Sequence, residues 1–404
     1  MASQAIATPA PAEPADAAEL LRAMVAFDTV TPHVSGRCEA ERPLAEWIAG
    51  LAPRWGLAPQ WLPVAGHAPN LLLTRRVRAD APWWLLDSHL DTVGVGGMTI
   101  DPFGGVVRDG RLYGRGACDT KGTGAAMLWA AKRAIAAGTL GANLAVLLSV
   151  GEEHAQVGAR AFIEHGLPAL DWRPAGVVVG EPTQMRCVAA SNGFVRWRIV
   201  TRGRAAHSST PGQGHNAIYD MARVVLAMER DHIGRLDAQH PMTGHAACSI
   251  NGIEGGVQHN IVPDRCVVQV DQRLTPGQAP GDALASAHAA IKPLLGEPLM
   301  GGHTGLDYAF EGVESAEAFA PAGGYGFAES IAQRLEAAGV ASAVTGAPYT
   351  TNANHYAQAG LPCVVLGPGD IAQAHTVDEW LSLEQLELGV RGYGALLESP
   401  PPQN

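Results

Sequence analysis

The chain has 404 residues and a formal net charge of −11; 47% of its residues are hydrophobic and 17% are charged. This balance excludes broad disorder and indicates a globular α/β protein large enough for two domains. The negative charge argues against nucleic acid or an anionic membrane as the main partner, and no apolar run approaches the roughly 20 residues that span a bilayer.

The amino-terminal segment from Met1 to Asp16 is rich in Ala and Pro. It lacks the basic and apolar regions of a secretory signal, so we interpret it as a loose tail. Asp16 and Glu19 resemble a capping box and predict that a helix begins there. The six cysteines are scattered without a Cys-x-x-Cys pair, which favours reduced thiols and a cytoplasmic location.

Short apolar segments alternate with helical segments through much of the chain. A helix is predicted over Gly124–Ala137, where Met127, Leu128 and Ala131 recur at helical spacing. Strands alternating with helices predict an α/β fold whose mainly parallel sheet is covered by helices on both faces. The strand candidates are Trp83–Leu90, Asn143–Val150, Gly176–Val179 and Pro362–Leu366.

The pattern changes near residue 190, where polar and apolar residues begin to alternate. Phe194–Thr201 and Cys266–Arg273 are typical of half-exposed strands, whereas Asn216–Glu229 and Gly281–Leu295 are typical of helices. This order predicts a small α+β domain with a four-stranded antiparallel sheet, inserted into the larger one. The predicted division is 1–189 and 311–404 for the large domain and 190–310 for the inserted domain.

Five segments place acid or imidazole side chains just after apolar or glycine-rich runs. Because the carboxyl ends of parallel strands form the ligand crevice of an open α/β sheet, we expect these side chains to converge. Two histidines with several carboxylates suit a pair of divalent metal ions. The segments are Leu85–Asp91, Gly114–Asp119, Val150–Glu153, Val179–Glu181 and Ala374–His375.

His89 and Asp91 are two residues apart at a strand end, so their side chains point to the same face. One can bind a metal ion while the other supports it, although a simple strand-end turn explains this motif equally well. The carboxylate of Asp119 has two oxygens and can bridge two cations. Alternatively, Asp119 caps the helix that begins at Lys121.

Glu152 and Glu153 directly follow an apolar strand. Two adjacent acids at a buried strand end repel each other and need a compensating cation, unless they lie in a solvated loop. One of them can bind a metal ion while the other acts as general base with a raised pKa. His375 lies beyond the last apolar strand, and Glu379 follows one helical turn later as a candidate to orient it.

Five motifs follow one another between His89 and Glu379. They are His89-x-Asp91, Gly114-Arg115-Gly116-x-x-Asp119-x-Lys121-Gly122, Gly151-Glu152-Glu153, Glu181-Pro182-Thr183 and Ala374-His375-Thr376-x-x-Glu379. With these motifs in this order, the chain resembles the dinuclear-zinc amidohydrolase and exopeptidase family from about residue 15 to 395. That family includes acetylornithine deacetylase, succinyl-diaminopimelate desuccinylase, aminoacylase and glutamate carboxypeptidase.

The resemblance implies a zinc-exopeptidase-like catalytic domain and an inserted ferredoxin-like domain that serves as lid and dimerisation element. It also implies two divalent metal ions; Zn²⁺ is expected, and Co²⁺ or Mn²⁺ are alternatives. Glu152 would be the general base and acid, and Asp91 would orient His89. The implied ligands are His89, Asp119 and Glu181 for one ion and Asp119, Glu153 and His375 for the other.

The same resemblance assigns roles on the substrate side. His207, in Gly203–Ser209, matches a lid histidine that stabilises the oxyanion, often across a homodimer interface. Asn260 and Arg273 match substrate-binding positions, and an arginine fork suits a substrate carboxylate. Gly367 and Gly369, which flank Pro368, resemble the acetylornithine deacetylase branch and are also expected at the substrate.

The implied reaction is hydrolysis of the amide bond of an N-acyl amino acid. A dipeptidase or carboxypeptidase would show the same motifs, and a non-catalytic binding protein on this scaffold is the alternative from another class. Asn352 departs from the family, which usually has an acid at this position. A neutral amide there would weaken attraction for a cationic substrate amine and favour a neutral or hydrophobic acyl amino acid.

Overall fold

The computed structural model describes residues 13–296, 305–321 and 323–402. Residues 1–12 of the predicted tail lie outside this range, whereas the predicted capping box is present: Asp16 accepts a hydrogen bond from the backbone N–H of Glu19 over 2.7 Å. The helices are α1 Ala17–Val25, α2 Pro32–Ser35, α3 Arg42–Leu51, α4 Lys121–Ala137, α5 Val157–Ala161, α6 Ala217–Asp231, α7 Pro280–Ile291, α8 Gly326–Ala337, α9 Ala353–Gln358 and α10 Leu383–Leu397.

The strands include every strand predicted from the sequence, with ends shifted by one or two residues. They are β1 Ala58–Leu62, β2 Asn70–Arg75, β3 Trp83–His89, β4 Val106–Arg108, β5 Arg111–Tyr113, β6 Asn143–Ser149, β7 Pro174–Val179, β8 Cys187–Ser191, β9 Gly193–Arg202, β10 Gln239–His240, β11 Gly244–His245, β12 Ala247–Gly255, β13 Arg265–Leu274, β14 Asp307–Ala316, β15 Val344–Ala347, β16 Cys363–Val365 and β17 Trp380–Ser382.

The described chain divides into two compact units. Of the described residues, the larger comprises 13–189, 321, 323–345 and 351–402, and the smaller comprises 190–296, 305–320 and 346–350. Strand β14 continues past residue 310 and pairs with β9 along its length. The predicted boundaries at 189 and 310 stay a prediction.

An eight-stranded sheet organises the larger unit, in the order β1-β2-β6-β3-β7-β16-β8-β15. Its central strands β6, β3, β7 and β16 run parallel to one another, and antiparallel neighbours flank them. Strands β3 and β6 are buried along their whole length, so both faces of the parallel centre are covered there. The predicted α/β fold class with a mainly parallel central sheet is confirmed.

The parallel centre brings several chain segments to one edge of the sheet. Strand β3 ends at His89, β6 ends just before Gly151, and β7 ends just before Glu181. Because these strands share one direction, the residues that follow them lie at the same edge. This edge carries the polar cluster described below.

The smaller unit contains a four-stranded antiparallel sheet in the order β12-β13-β9-β14. Its core combines inward residues of β9, such as Trp197 and Ile199, with Met221 and Val224 of α6. The order β9-α6-β12-β13-α7-β14 gives the predicted α+β arrangement. Within the described residues, no helix combines the length and apolar character needed to cross a membrane.

Candidate metal centre

His89 lies at the carboxyl end of β3, where 2% of its surface is exposed. Its Nδ1 lies 2.9 Å from the backbone carbonyl oxygen of Asp91, and 3.5 Å from Oδ1 of the same residue. In the neutral imidazole, an Nδ1 that donates to this carbonyl leaves the lone pair on Nε2, which is the form that binds metal. Asp91 therefore contacts the His89 ring mainly through its backbone carbonyl, and its orienting role stays a prediction.

The carboxylate of Asp119 faces two histidines at once. Its Oδ1 lies 3.1 Å from Nε2 of His89, and its Oδ2 lies 3.4 Å from Nε2 of His375. Although burial opposes ionisation, hydrogen bonds from these two rings hold the pKa of Asp119 well below its usual range. The alternative in which Asp119 caps a helix is wrong, because Thr120 is the N-cap of α4.

His375 adopts a left-handed backbone conformation with a φ of 60°. Its Nε2 also lies 3.0 Å from Oε2 of Glu153. A non-glycine residue in this conformation costs roughly 1–2 kcal/mol, and such strain is typical of functional positions. The backbone strain at His375 is therefore consistent with a selected orientation of its ring.

Two groups of three side chains could each hold a cation. In each group the candidate ligand atoms lie within 4.8 Å of one another, and Asp119 belongs to both. The imidazole and carboxylate donors match what Zn²⁺, Co²⁺ and Mn²⁺ accept in proteins. The residues present therefore fit a pair of divalent ions. The groups are His89, Asp119 and Glu181, and Asp119, Glu153 and His375.

Glu152 and Glu153 are held by the carboxylate of Asp91. Oδ1 of Asp91 accepts the backbone N–H of Glu152, and Oδ2 accepts that of Glu153, each over 3.0 Å. The Nε2 of Gln156 donates to Oε1 of Glu152 over 3.0 Å. Burial raises the pKa of Glu152 to about 8, and the neighbouring carboxylates of Glu153 and Asp91 act in the same direction.

Gly367 and Gly369 follow β16 and are buried. A Cβ at Gly367 would lie 2.5 Å from the carbonyl oxygen of Glu181, and one at Gly369 would lie 2.6 Å from Sγ of Cys118. Close approach of these segments thus explains both glycines. Their contact with substrate stays a prediction, and the burial of both glycines does not support it.

The remaining predicted site residues lie in the smaller unit. His207 is exposed, and its Nδ1 lies 2.8 Å from Oγ of Ser209. Asn260 is exposed as well, and its carbonyl oxygen accepts the backbone N–H of Ser208 over 3.0 Å. Arg273 lies near the end of β13 and pairs with Asp271, with Nε 2.9 Å from Oδ1.

Two sequence-based interpretations need correction. Glu379 does not orient His375, because its carboxylate instead binds the guanidinium of Arg115 and backbone N–H groups of the segment that carries Asp119. Asn352 is only 2% exposed, and its Nδ2 donates to Oδ2 of Asp87 over 3.0 Å. An amide enclosed in this way gives no direct indication of the charge of a substrate.

Gln156 is a site residue that sequence reasoning missed. Its spacing of four residues from Glu152 was a usable signal, since side chains four apart face each other on a helix. The structure reaches the same proximity differently, because Ala155 and Gln156 both have positive φ values of 67° and 52° before α5 begins. The asparagine contact of Asp87 had no local signal, because its partner lies far along the chain.

The match to known proteins covers most of the chain. Residues 85–399 match the family described as peptidase family M20/M25/M40. An acetylornithine deacetylase from Myxococcus xanthus is 31% identical over 308 residues, which cover 74% of this chain and 76% of that protein.

Solved structures show the same fold at low sequence identity. An M20 family metallo-carboxypeptidase from Sulfolobus solfataricus superposes with a TM-score of 0.77 at 17% identity, covering 96% of this chain and 99% of that one. A dinuclear metal-binding peptidase of the M20 family from Bacillus subtilis gives 0.68 at 14% identity, with 95% and 96% covered. The chain is thus an enzyme, a metallohydrolase that belongs to peptidase family M20/M25/M40.

Proposed function

We propose that this enzyme hydrolyses the amide bond of N-acyl amino acids with the help of two divalent metal ions. One observation carries the proposal: the carboxylate of Asp119 faces His89 with one oxygen and His375 with the other, while Glu152, which belongs to neither candidate metal group, accepts a hydrogen bond from Gln156. This separates candidate ligands from a candidate proton carrier. The relationship to an acetylornithine deacetylase supports the acyl amino acid as substrate class.

The two clusters would hold one ion each, with Asp119 shared between them. Bound there, divalent ions would supply Lewis acidity that polarises an amide carbonyl and makes water easier to deprotonate. Zn²⁺ is the proposed ion because imidazole and carboxylate donors suit it, and Co²⁺ or Mn²⁺ would also be accepted. The ligands would be His89, Asp119 and Glu181, and Asp119, Glu153 and His375.

Glu152 would move the proton in this reaction. It takes a proton from the water whose oxygen attacks the amide carbon, and it gives that proton to the departing nitrogen as the C–N bond breaks. The products are a carboxylic acid, which loses its proton to solvent at neutral pH, and a free amine. Its placement supports this role, because Glu152 belongs to neither candidate metal group and Gln156 holds its carboxylate by a hydrogen bond of 3.0 Å.

The substrate-side roles rest on the resemblance alone. His207 is proposed for oxyanion stabilisation, and Asn260 and Arg273 for substrate binding. The exposure of His207 and Asn260 leaves their side chains accessible to a ligand. The guanidinium of Arg273 would pair with the carboxylate of an amino acid.

A substrate panel tests the proposal. Metal-reconstituted protein is assayed with N-acetyl amino acids that carry neutral, hydrophobic or cationic side chains, and with dipeptides and longer peptides. Release of free amino acid from the acetylated compounds at a kcat/KM well above that for peptides is the expected result. Turnover of none of them would contradict hydrolysis of these amides by this site.

The second candidate is a dipeptidase or carboxypeptidase with the same metal centre. The structural similarity to a metallo-carboxypeptidase favours it. The same panel separates the two, because a peptidase would cleave dipeptides or carboxyl-terminal residues faster than acetyl groups.

We also propose that the smaller unit mediates homodimer formation. Among the residues that the structure describes, β12 is an edge strand that leaves Ile253 62% exposed, and α6 leaves Leu226 62% and Tyr219 52% exposed. An unpaired edge with apolar residues is a surface on which a second chain can add. Light scattering should give the molar mass of a dimer for wild type and that of a monomer for Ile253→Asp. Val34→Asp, in the larger unit, should keep the molar mass of the wild-type dimer.

All six cysteines are free. A cytoplasmic location stays a prediction.

A further inference from the structure

The carboxylate of Glu379 lies against the segment that precedes α4. Its side chain is fully buried. Oε1 accepts the backbone N–H groups of Cys118 and Asp119 over 2.7 and 2.8 Å, and Oε2 accepts that of Gly116 over 2.9 Å. One carboxylate therefore binds three of four successive residues, and the last of them is the residue shared by both candidate metal groups.

Arg115 completes the contact from within the same segment. Its Nη1 donates to Oε2 of Glu379 over 2.8 Å, and only 3% of its surface is exposed. The guanidinium also donates to the carbonyl oxygens of Gly94 and Thr376 over 3.1 and 3.0 Å. The buried charge of Glu379 is thus paired, and four donors satisfy its two oxygens.

The backbone of Glu379 holds the other end of the segment. Its carbonyl oxygen accepts the N–H of Gly114 over 3.0 Å. Close neighbours also restrict the path of the chain: a Cβ at Gly114 would lie 2.4 Å from Cγ1 of Val25, and one at Gly116 would lie 2.8 Å from Cγ2 of Thr92. Residues 114–119 therefore follow one path that depends on contacts with Glu379 at both ends.

We propose that Glu379 is a positioning residue for the two-metal centre. It fixes the backbone of Asp119 so that one carboxylate oxygen faces His89 and the other faces His375. The inference rests on the proposed role of Asp119 as shared ligand. It follows from the hydrogen bond on the N–H of Asp119 itself, since a side chain that must serve two sites tolerates little movement of its own backbone.

The test measures the affinity of metal-stripped protein for Zn²⁺ by competition with a chromophoric chelator. Glu379→Gln keeps the shape of the side chain but replaces one accepting oxygen by a donor that faces backbone N–H groups. Zn²⁺ binding at both sites should weaken by about 10- to 100-fold, the usual effect of removing a group that supports metal ligands. A folded variant whose affinity stays within about threefold of wild type would overturn the inference.

Two controls separate positioning from general stability. Glu387→Gln makes the same chemical change at an exposed position of α10. Trp84→Phe removes a partly buried hydrogen bond from Nε1 to the carbonyl oxygen of Ser399, at the opposite end of β3 from His89. Both should bind Zn²⁺ like wild type, even where Trp84→Phe lowers the melting temperature as much as Glu379→Gln.

Asp119→Ala distinguishes the two levels of the argument. If it leaves Zn²⁺ affinity unchanged, the proposed metal centre fails. If it abolishes binding while Glu379→Gln binds normally, only the positioning role fails.

Amide hydrogen exchange on the wild-type protein needs no variant to fold. The N–H groups of Gly116, Cys118 and Asp119 should be protected even without metal, because a protein carboxylate accepts them. Rapid exchange of all three would also overturn the inference.

Discussion

The side chain of Gln156 donates a hydrogen bond to Oε1 of Glu152 over 3.0 Å. Gln156 is only 4% exposed and has a left-handed backbone with a φ of 52°. A non-glycine residue in this conformation costs roughly 1–2 kcal/mol, so surrounding contacts must hold it there. The strained residue, Gln156, thus points its side-chain amide at Glu152, the carboxylate proposed to carry the proton.

Replacing Glu152 by Gln should remove turnover without removing metal. The amide cannot accept a proton from water, so we expect kcat to fall by about 10²- to 10⁴-fold. Glu153 and His375 keep their positions, so bound metal measured by elemental analysis should stay at the wild-type level. Retained turnover, or loss of both metals, would contradict the separate roles of Glu152 and Glu153.

Gln156→Leu should lower kcat while leaving metal affinity unchanged. Leucine is similar in size but donates no hydrogen bond, and a hydrogen bond to a charged group contributes about 1.5–3 kcal/mol. We expect kcat to fall by about tenfold or more, because Glu152 loses the hydrogen bond that orients it. KM should stay nearly constant, because the contacts of the substrate do not change. Gln358→Leu, at an exposed position, is the matched control. A rise in KM alone would place Gln156 in substrate binding instead.

The sequence allows us to predict which residues meet at the edge of the sheet. It does not allow us to predict the hydrogen bonds that support those residues. Apolar runs such as Asn143–Ser149 identify buried parallel strands, and acids directly after them must converge because parallel strands end together. His89 and Glu153 could therefore be assigned to one site. The family resemblance then implied that Asp119 is the shared carboxylate, and Asp119 belongs to both candidate metal groups.

The supporting contacts could not be predicted, because they depend on where loops meet. Glu379 is closer to His375 than to Arg115 along the chain, yet its carboxylate binds the segment 115–119. Asn352 reaches Asp87 across the fold. No local periodicity reports such pairs. They follow from the crossing of helices and loops, which a single sequence leaves open.

The burial of Glu41 leads us to expect a specific pH dependence of the free energy of unfolding. The side chain is fully buried and accepts the N–H of Gly151 over 3.3 Å. Burial, with the nearby charge of Asp91, raises the pKa of Glu41 from 4.5 to about 7. Since the folded state then holds a proton that the unfolded state releases between these values, Glu41 makes the protein less stable as pH rises from about 5 to 8.

The comparison of wild type with Glu41→Gln isolates this effect. The neutral amide still offers an oxygen to Gly151, and other titrating groups cancel in the difference. The free energy of unfolding of wild type relative to the variant should fall by about 2–3 kcal/mol between pH 5 and 8. Urea unfolding of metal-stripped protein at both pH values measures it. A difference that is constant with pH would show that Glu41 titrates normally.

Introducing the usual family acid at position 352 should destabilise this protein. The Nδ2 of Asn352 donates to Oδ2 of Asp87 over 3.0 Å and to Oγ of Ser149 over 3.1 Å. Asp87 is fully buried, and burial raises its pKa. Asn352→Asp would replace a donor by a second acid beside it, so we expect a loss of about 2–4 kcal/mol in the free energy of unfolding.

The exchanged pair Asp87→Asn with Asn352→Asp should recover most of that loss. The acid and the amide then occupy each other's positions, so the new amide at 87 can donate to the new carboxylate at 352. The hydroxyl of Ser149 can rotate to donate to the new carboxylate at position 352. In the wild-type protein the hydroxyl of Tyr356 lies 2.9 Å from Oδ2 of Asp87, so in the double variant it can donate to the amide oxygen at position 87. Urea unfolding of wild type, both single variants and the double variant should give a coupling energy of at least about 1.5 kcal/mol. Additive effects would mean that the two side chains do not form an exchangeable pair, and that the departure at Asn352 has a cause other than the acid at Asp87.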